Sequence, residues 1–146
     1  MKITSLLSTT ALAAALVFAG CTKQEQQKVG ASVKDAYEDT KAAAARTWDK
    51  AKAATWDKRG EVTESAKALG ARMDAQLSEL RANYSEAKAS ASRKTAMDEV
   101  KRDEADYKQK LDALGTATAD TWDAAKRNVI AAWDKLEASY RKARAD

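Results

Sequence analysis

Apolar residues follow two different rhythms along the chain. From Leu6 to Ala19 they form one run, relieved only by Ser8, Thr9 and Thr10. From Ala31 onward they recur every three or four positions, the period of one helix face. Val33, Tyr37, Ala44, Trp48, Ala51 and Thr55 make the first stripe and predict a helix over about 31–59. Met73, Leu77, Leu80, Tyr84, Ala87 and Ala91 make a second stripe. Met97, Val100, Glu104, Tyr107, Leu111 and Leu114 extend it with heptad-like spacing, which predicts a helix over 61–114. Ser90 to Thr95 shifts the register between these two stripes, either as a stutter in a continuous helix or as a hairpin bend. No glycine or proline stands there, which favours continuity. At 1.5 Å per residue that helix would be about 75 Å long. Gly60 and Gly115 mark the breaks on either side. Trp122, Ala125, Val129, Trp133, Leu136 and Tyr140 predict a third helix over 117–144, with Thr118 or Asp120 as its cap. The intervals Trp122–Trp133 and Val129–Tyr140 are both 11 residues and suit a nearly straight helix pair.

Residues 31–146 are rich in Ala, Lys, Glu, Asp, Arg and Gln, all but Asp good helix formers, and the chain has no proline. The expected fold is all-α: an elongated helical hairpin or coiled-coil-like bundle of two to three long helices. Only 22 large apolar residues follow Cys21 in the 146-residue chain. Alanine allows close helix approach but buries little area per residue. So thin a core predicts completion by a second copy, by an envelope protein or by a surface.

The first apolar run has its own meaning. Lys2 supplies a minimal positive start, and the run of about 14 residues is shorter than the ~20 needed to span a bilayer as a helix. It ends Leu16-Val17-Phe18-Ala19-Gly20-Cys21, and this junction resembles the lipobox of bacterial lipoproteins. The resemblance implies a signal peptide over 1–20, cleavage between Gly20 and Cys21, and acyl chains such as palmitate on Cys21. More than one chain makes membrane attachment effectively stable. An unpaired thiol in an oxidising compartment is a liability that thioether lipidation removes. Thr22 after the cysteine implies, by resemblance to sorted lipoproteins, the outer membrane facing the periplasm. Gln- and Lys-rich 21–30 reads as a lipidated cysteine with a flexible tether.

Composition narrows the chemistry. The chain has no histidine and one cysteine, so it cannot build a Ser-His-Asp or Cys-His nucleophile system, a histidine metal site or a four-cysteine zinc site. Asp98-Glu99 and Asp103-Glu104 are adjacent and point in different directions on a helix, so neither pair forms an acid/base dyad. No glycine-rich phosphate loop is present. No catalytic residue, cofactor or metal is expected. The net charge of +4 is spread over mixed signs, which describes solvated helix faces and gives no basis for nucleic-acid binding. Tyr140-Arg141-Lys142-Ala143-Arg144 is locally basic. It suits a helix C-terminal dipole, or alternatively contact with anionic lipid or an acidic cell-wall polymer.

A Trp-Asp pair recurs four times, at Trp48-Asp49, Trp56-Asp57, Trp122-Asp123 and Trp133-Asp134. Lys52 and Lys126 follow Trp48 and Trp122 by four residues, which lets an ammonium lie over each indole. Trp48, Trp56, Trp122 and Trp133 are candidate packing or interaction residues. They read as core anchors of an alanine-rich bundle, as headgroup-level residues of a membrane-surface helix, or as a partner- or ligand-stacking face. The stretch Ala71-Arg72-Met73-Asp74-Ala75-Gln76-Leu77-Ser78-Glu79-Leu80-Arg81-Ala82 resembles the opening of small bacterial coiled-coil proteins linked to stress responses. The likeness runs on through Lys110 to Leu114, Trp122-Asp123 and Ala132 to Leu136, covering about half the chain. Ala125 stands where that family commonly has leucine. The resemblance implies helical structure and a stress association, and no reaction. The function expected is a non-enzymatic, lipid-anchored envelope module. The alternative is an amphipathic-helix lipid-binding protein similar to exchangeable apolipoproteins.

Overall fold

The computed structural model describes the backbone of residues 23–145 and side chains from 34 onward. Among these residues it contains four α-helices and no strand: α1 Lys23–Ala53, α2 Arg59–Ala82, α3 Ala91–Gly115 and α4 Trp122–Arg144. A single 3₁₀ turn, Trp56–Lys58, lies between α1 and α2. The all-α expectation holds, with four helices where two or three were expected.

Cross-helix contacts give the topology. Gln76 of α2 donates to the Ala36 carbonyl and to Thr40 of α1. Tyr107 of α3 donates to the Ala66 carbonyl of α2, and Lys108 pairs with Asp74. Lys142 of α4 meets Glu99 of α3. Tyr37 and Trp48 of α1 meet Tyr140 and Trp133 of α4. Between α2 and α3 the partner falls from Tyr107 at Ala66 to Glu104 at Arg81, and between α3 and α4 it falls from Lys142 at Glu99 to Trp133 at Tyr107. All neighbouring helices are therefore antiparallel, and the chain is an up-down-up-down four-helix bundle closed by α1 against α4. The most extensive helix contact is α3 with α4.

The expected 61–114 helix is two helices, and capping side chains explain the division. Asn83 ends α2, its backbone N–H and side-chain amide both donating to the Glu79 carbonyl. Ser90 starts α3, its Oγ accepting from the Arg93 backbone N–H at 3.0 Å. Polar caps thus replace the glycine or proline whose absence suggested a continuous rod. Met73, Leu77 and Leu80 are buried, but Ala87 and Ala91 are exposed, because their stripe runs past the end of α2. Gly60 is not the first break either. The chain leaves α1 after Ala53, with Thr55 extended at ψ 172°, and Gly60 lies within the first turn of α2. At the other end of α1, Lys23 to Gly30 is helical rather than a tether, as its Gln, Glu and Lys residues allow.

The interior holds alanines among few large side chains. Trp122, Trp133, Tyr107, Tyr140, Met73, Leu77, Leu114 and Leu136 are almost wholly enclosed. Every member of the α4 stripe, from Trp122 to Tyr140, is buried. Glu104, in an otherwise apolar stripe, is half-buried between Arg81 and Lys108. Burial pushes its carboxyl up, but the hydrogen bonds from Lys108 and Arg81 prevail and hold it below the usual range.

Two glycines of α2 differ in their surroundings. A Cβ at Gly70 would meet Tyr107 Cε1 at 3.1 Å, whereas one at Gly60 would meet nothing within 4 Å. Tyr107 is enclosed and tied to the Ala66 carbonyl at 2.8 Å, so it cannot retreat. Gly60→Ala is therefore expected to stabilise the protein by about 0.5 kcal/mol. Gly70→Ala is expected to destabilise it by about 1 kcal/mol despite the better helix propensity. Thermal unfolding followed by circular dichroism checks both, and the opposite signs are the diagnostic result.

Candidate functional site

The repeated Trp-Asp pairs meet across the seam between α1 and α4. Trp48 packs on Trp133 with ring centroids 6.0 Å apart and a 58° tilt. Trp56 packs edge-on against Trp122 at 5.8 Å. The spacing of the two sets differs, eight residues between Trp48 and Trp56 and 11 between Trp122 and Trp133. The non-helical step at Ala54 and Thr55 lengthens the shorter interval, since extended backbone advances about 3.3 Å per residue against 1.5 Å in a helix. Tyr107 of α3 adds an edge contact to Trp133 at 5.4 Å. Farther along, Tyr37 and Tyr140 pair at 5.5 Å. The seam is thus a ladder of three aromatic pairs. Each such pair adds about 0.5–1.5 kcal/mol beyond the area it buries.

Cations fasten both ends of the ladder. Lys126 is only 7% exposed, and its ammonium donates to the Ala54 carbonyl at 2.6 Å. It also meets Asp123 at 3.1 Å and lies 5.8 Å from the centre of the Trp122 ring. A carbonyl just past the end of α1, where the helix dipole is negative, thereby gains a charged donor from α4. At the far end the Arg144 guanidinium covers Tyr37 at 4.7 Å and Tyr140 at 5.8 Å. The Tyr37 hydroxyl donates to Glu137 at 3.2 Å. Burial first, and then the Glu137 carboxylate, push the Tyr37 phenol up to about 12. Burial likewise raises Tyr107 and Tyr140.

Of the candidate residues, the structure brings Trp48, Trp56, Trp122 and Trp133 together. Trp48, Trp122 and Trp133 are buried and Trp56 is half-buried. The Nε1–H groups of the three buried indoles have no acceptor within hydrogen-bonding distance. Gly20 and Cys21 lie outside the described residues. Lys126 approaches Trp122 as its spacing predicts, while Lys52 pairs with Asp49 instead of covering Trp48. The contact of Lys126 with the α1 terminus joins positions 72 apart, which no local pattern reveals. Gln76 had only its place on an apolar face, between Met73 and Leu80, to mark it as buried.

The outer surface carries shallow grooves. One of about 510 Å³ lies between α1 and α2, with Ala43, Ala53 and Val62 among its lining and Arg46, Lys50 and Lys58 on its rim. Another follows the α1–α4 seam over Trp48, Ile130 and Trp133. Among the described residues no group of His, Cys, Asp and Glu gathers to hold a metal ion. No family model, no curated protein and no solved structure matches the chain.

The ladder makes unequal demands on its members. Trp133→Ala is expected to lower stability by about 3–5 kcal/mol, because it removes a fully buried indole that touches both Trp48 and Tyr107. Trp56→Ala is expected to cost less than half of that, and denaturant titration compares them directly. The tyrosines set the alkaline limit. Tyr37 keeps its proton in the folded state up to about pH 12, while an unfolded phenol near 10 has lost it. Its stabilising contribution is therefore complete below about pH 10 and disappears as pH rises through about 12. Tyr37→Phe should flatten this part of the stability–pH curve, measured by unfolding at stepped alkaline pH.

Proposed function

We propose that this chain is a lipid-anchored protein of the cell envelope, held at the outer membrane facing the periplasm. Its four-helix bundle acts as a non-enzymatic structural and interaction module. The observation that carries the reading is the Leu16 to Cys21 junction joined to a helix that starts at Lys23. With α1 beginning at Lys23, acyl chains on Cys21 would tie the first helix of the bundle to the bilayer surface. No helix among the described residues is long and apolar enough to cross a membrane, so a lipid would supply the attachment. The bundle encloses three of its four indoles and exposes most of its charged side chains, which leaves polar faces for a second copy or another envelope protein. The resemblance of 71–82 and the later Trp-Asp segments to stress-linked coiled-coil proteins adds a stress association to this reading.

A second reading, apolipoprotein-like opening onto lipid, draws on one observation. Three buried indole N–H groups lack an acceptor, and membrane headgroups would supply one. In that case indole emission would be red-shifted in buffer and move to the blue on adding anionic vesicles. In the bundle reading it is already blue-shifted and barely moves.

The anchor is tested by replacing Cys21 with Ala and labelling cells with a fatty-acid analogue. Wild type should take up label and stay with membranes at high salt, and Cys21→Ala should take up none. Equal labelling of the two would remove the anchor from the account.

A further inference from the structure

The groove of about 510 Å³ between α1 and α2 joins an apolar floor to a basic rim. Its volume falls within the roughly 300–1,000 Å³ of small-molecule sites. The groove exists because α1 carries two stripes. Ala44, Trp48 and Ala51 enter the core, while Ala43, Thr47, Lys50 and Ala54 run beside α2 at helical 4-3-4 spacing. Small side chains on the second stripe leave a trough that larger ones would fill. Ala43 and Ala54 are half-buried against the core, and Val62 of α2 completes the floor.

Helix stability does not account for the rim. Lys50 suits the last turn of α1, but Arg46 stands four residues before it, an unfavourable spacing for like charges. Lys58 is the N-cap of α2, where the helix dipole disfavours a cation. Among the described residues none of these three cations makes an ion pair, and Glu61 is the one carboxylate of the lining. Neighbouring carboxylates are engaged elsewhere: Asp57 accepts from the Thr55 hydroxyl, and Asp49 pairs with Lys52 over the groove on the α4 side. Three cations against one carboxylate, above an apolar floor, are complementary to a molecule with an anionic head and an apolar tail. We infer that this groove binds a single-chain anionic amphiphile, a fatty acid. Its carboxylate would pair with Arg46, Lys50 and Lys58, and its chain would lie on Ala43, Ala53 and Val62. A recess between two helices admits one chain and not the planar surface of a bilayer. The inference goes beyond the anchored reading and does not require lipid on Cys21.

The test uses the full chain in phosphatidylcholine nanodiscs and a fatty acid with a photoreactive diazirine near the end of its chain. After irradiation, mass spectrometry should place the adducts within 43–54 and 58–65. The same chain with a neutral alcohol head should label these segments several-fold less. Arg46→Gln, Lys50→Gln and Lys58→Gln should each lower labelling about two- to fivefold, as exposed ion pairs do. Ala53→Leu fills the floor from an exposed position and should remove most of the labelling. Lys101→Gln, on α3, should leave it unchanged. Circular dichroism verifies that each variant keeps its helices. Labelling that is equal for the two heads, spread over all four helices, or indifferent to the rim and floor variants overturns the inference. So does inorganic phosphate that competes as well as unlabelled fatty acid, which would mean an anion site with no place for a chain. Mass spectrometry of the same protein reports lipid on Cys21 separately. Its absence would remove the anchor and leave the groove as it stands.

Discussion

The bundle depends on the contact that joins its first helix to its last. Two short connections make α1–α2 and α3–α4 into hairpins, and such hairpins bury one stripe each at best. Only when α1 lies on α4 do Trp48 and Tyr37 meet Trp133 and Tyr140, and only then does a carbonyl at the end of α1 meet Lys126. Alanines make close approach possible, but an alanine-rich interface holds little free energy of its own. The aromatic ladder supplies what they lack, concentrated in a few pairs. Contacts such as Tyr37 with Tyr140 join positions 103 apart, so they close a long loop at high entropic cost.

This arrangement gives the Trp-Asp repeat a physical purpose. In each copy the indole points inward and the following aspartate is exposed. Repetition on two antiparallel helices lets like meet like, Trp48 with Trp133 and Trp56 with Trp122. The break at Ala54 and Thr55 belongs to the same solution, because it adjusts the spacing of one pair to the other and leaves the Ala54 carbonyl for Lys126.

Much of the fold was legible where period and burial agree. The α4 stripe was complete, and Tyr37, Ala44, Trp48 and Ala51 of α1 proved buried as their spacing indicated. The division of 61–114 is marked by caps rather than by glycine or proline, the residues that punctuate the rest of the chain. Asn83 and Ser90 are an end signal and a start signal in their own right, and the six residues between them leave room for a turn. Among the described residues, 16 large apolar side chains are buried together with seven alanines. Lys126 could not have been found from sequence, since its partner is a backbone carbonyl brought near by tertiary packing alone.

A double-mutant cycle on Trp48 and Trp133 tests the central contact most directly. Trp48→Phe, Trp133→Phe and the double variant are compared by denaturant unfolding, with Trp122→Phe in place of Trp48→Phe as a second cycle. If the α1–α4 seam holds the bundle, Trp48 and Trp133 should show a coupling energy of about 0.5–1.5 kcal/mol, while Trp122 and Trp133, three turns apart on one helix, should be additive. Additivity of Trp48 and Trp133 would contradict the account, because it would mean that the two indoles do not meet across the seam in solution.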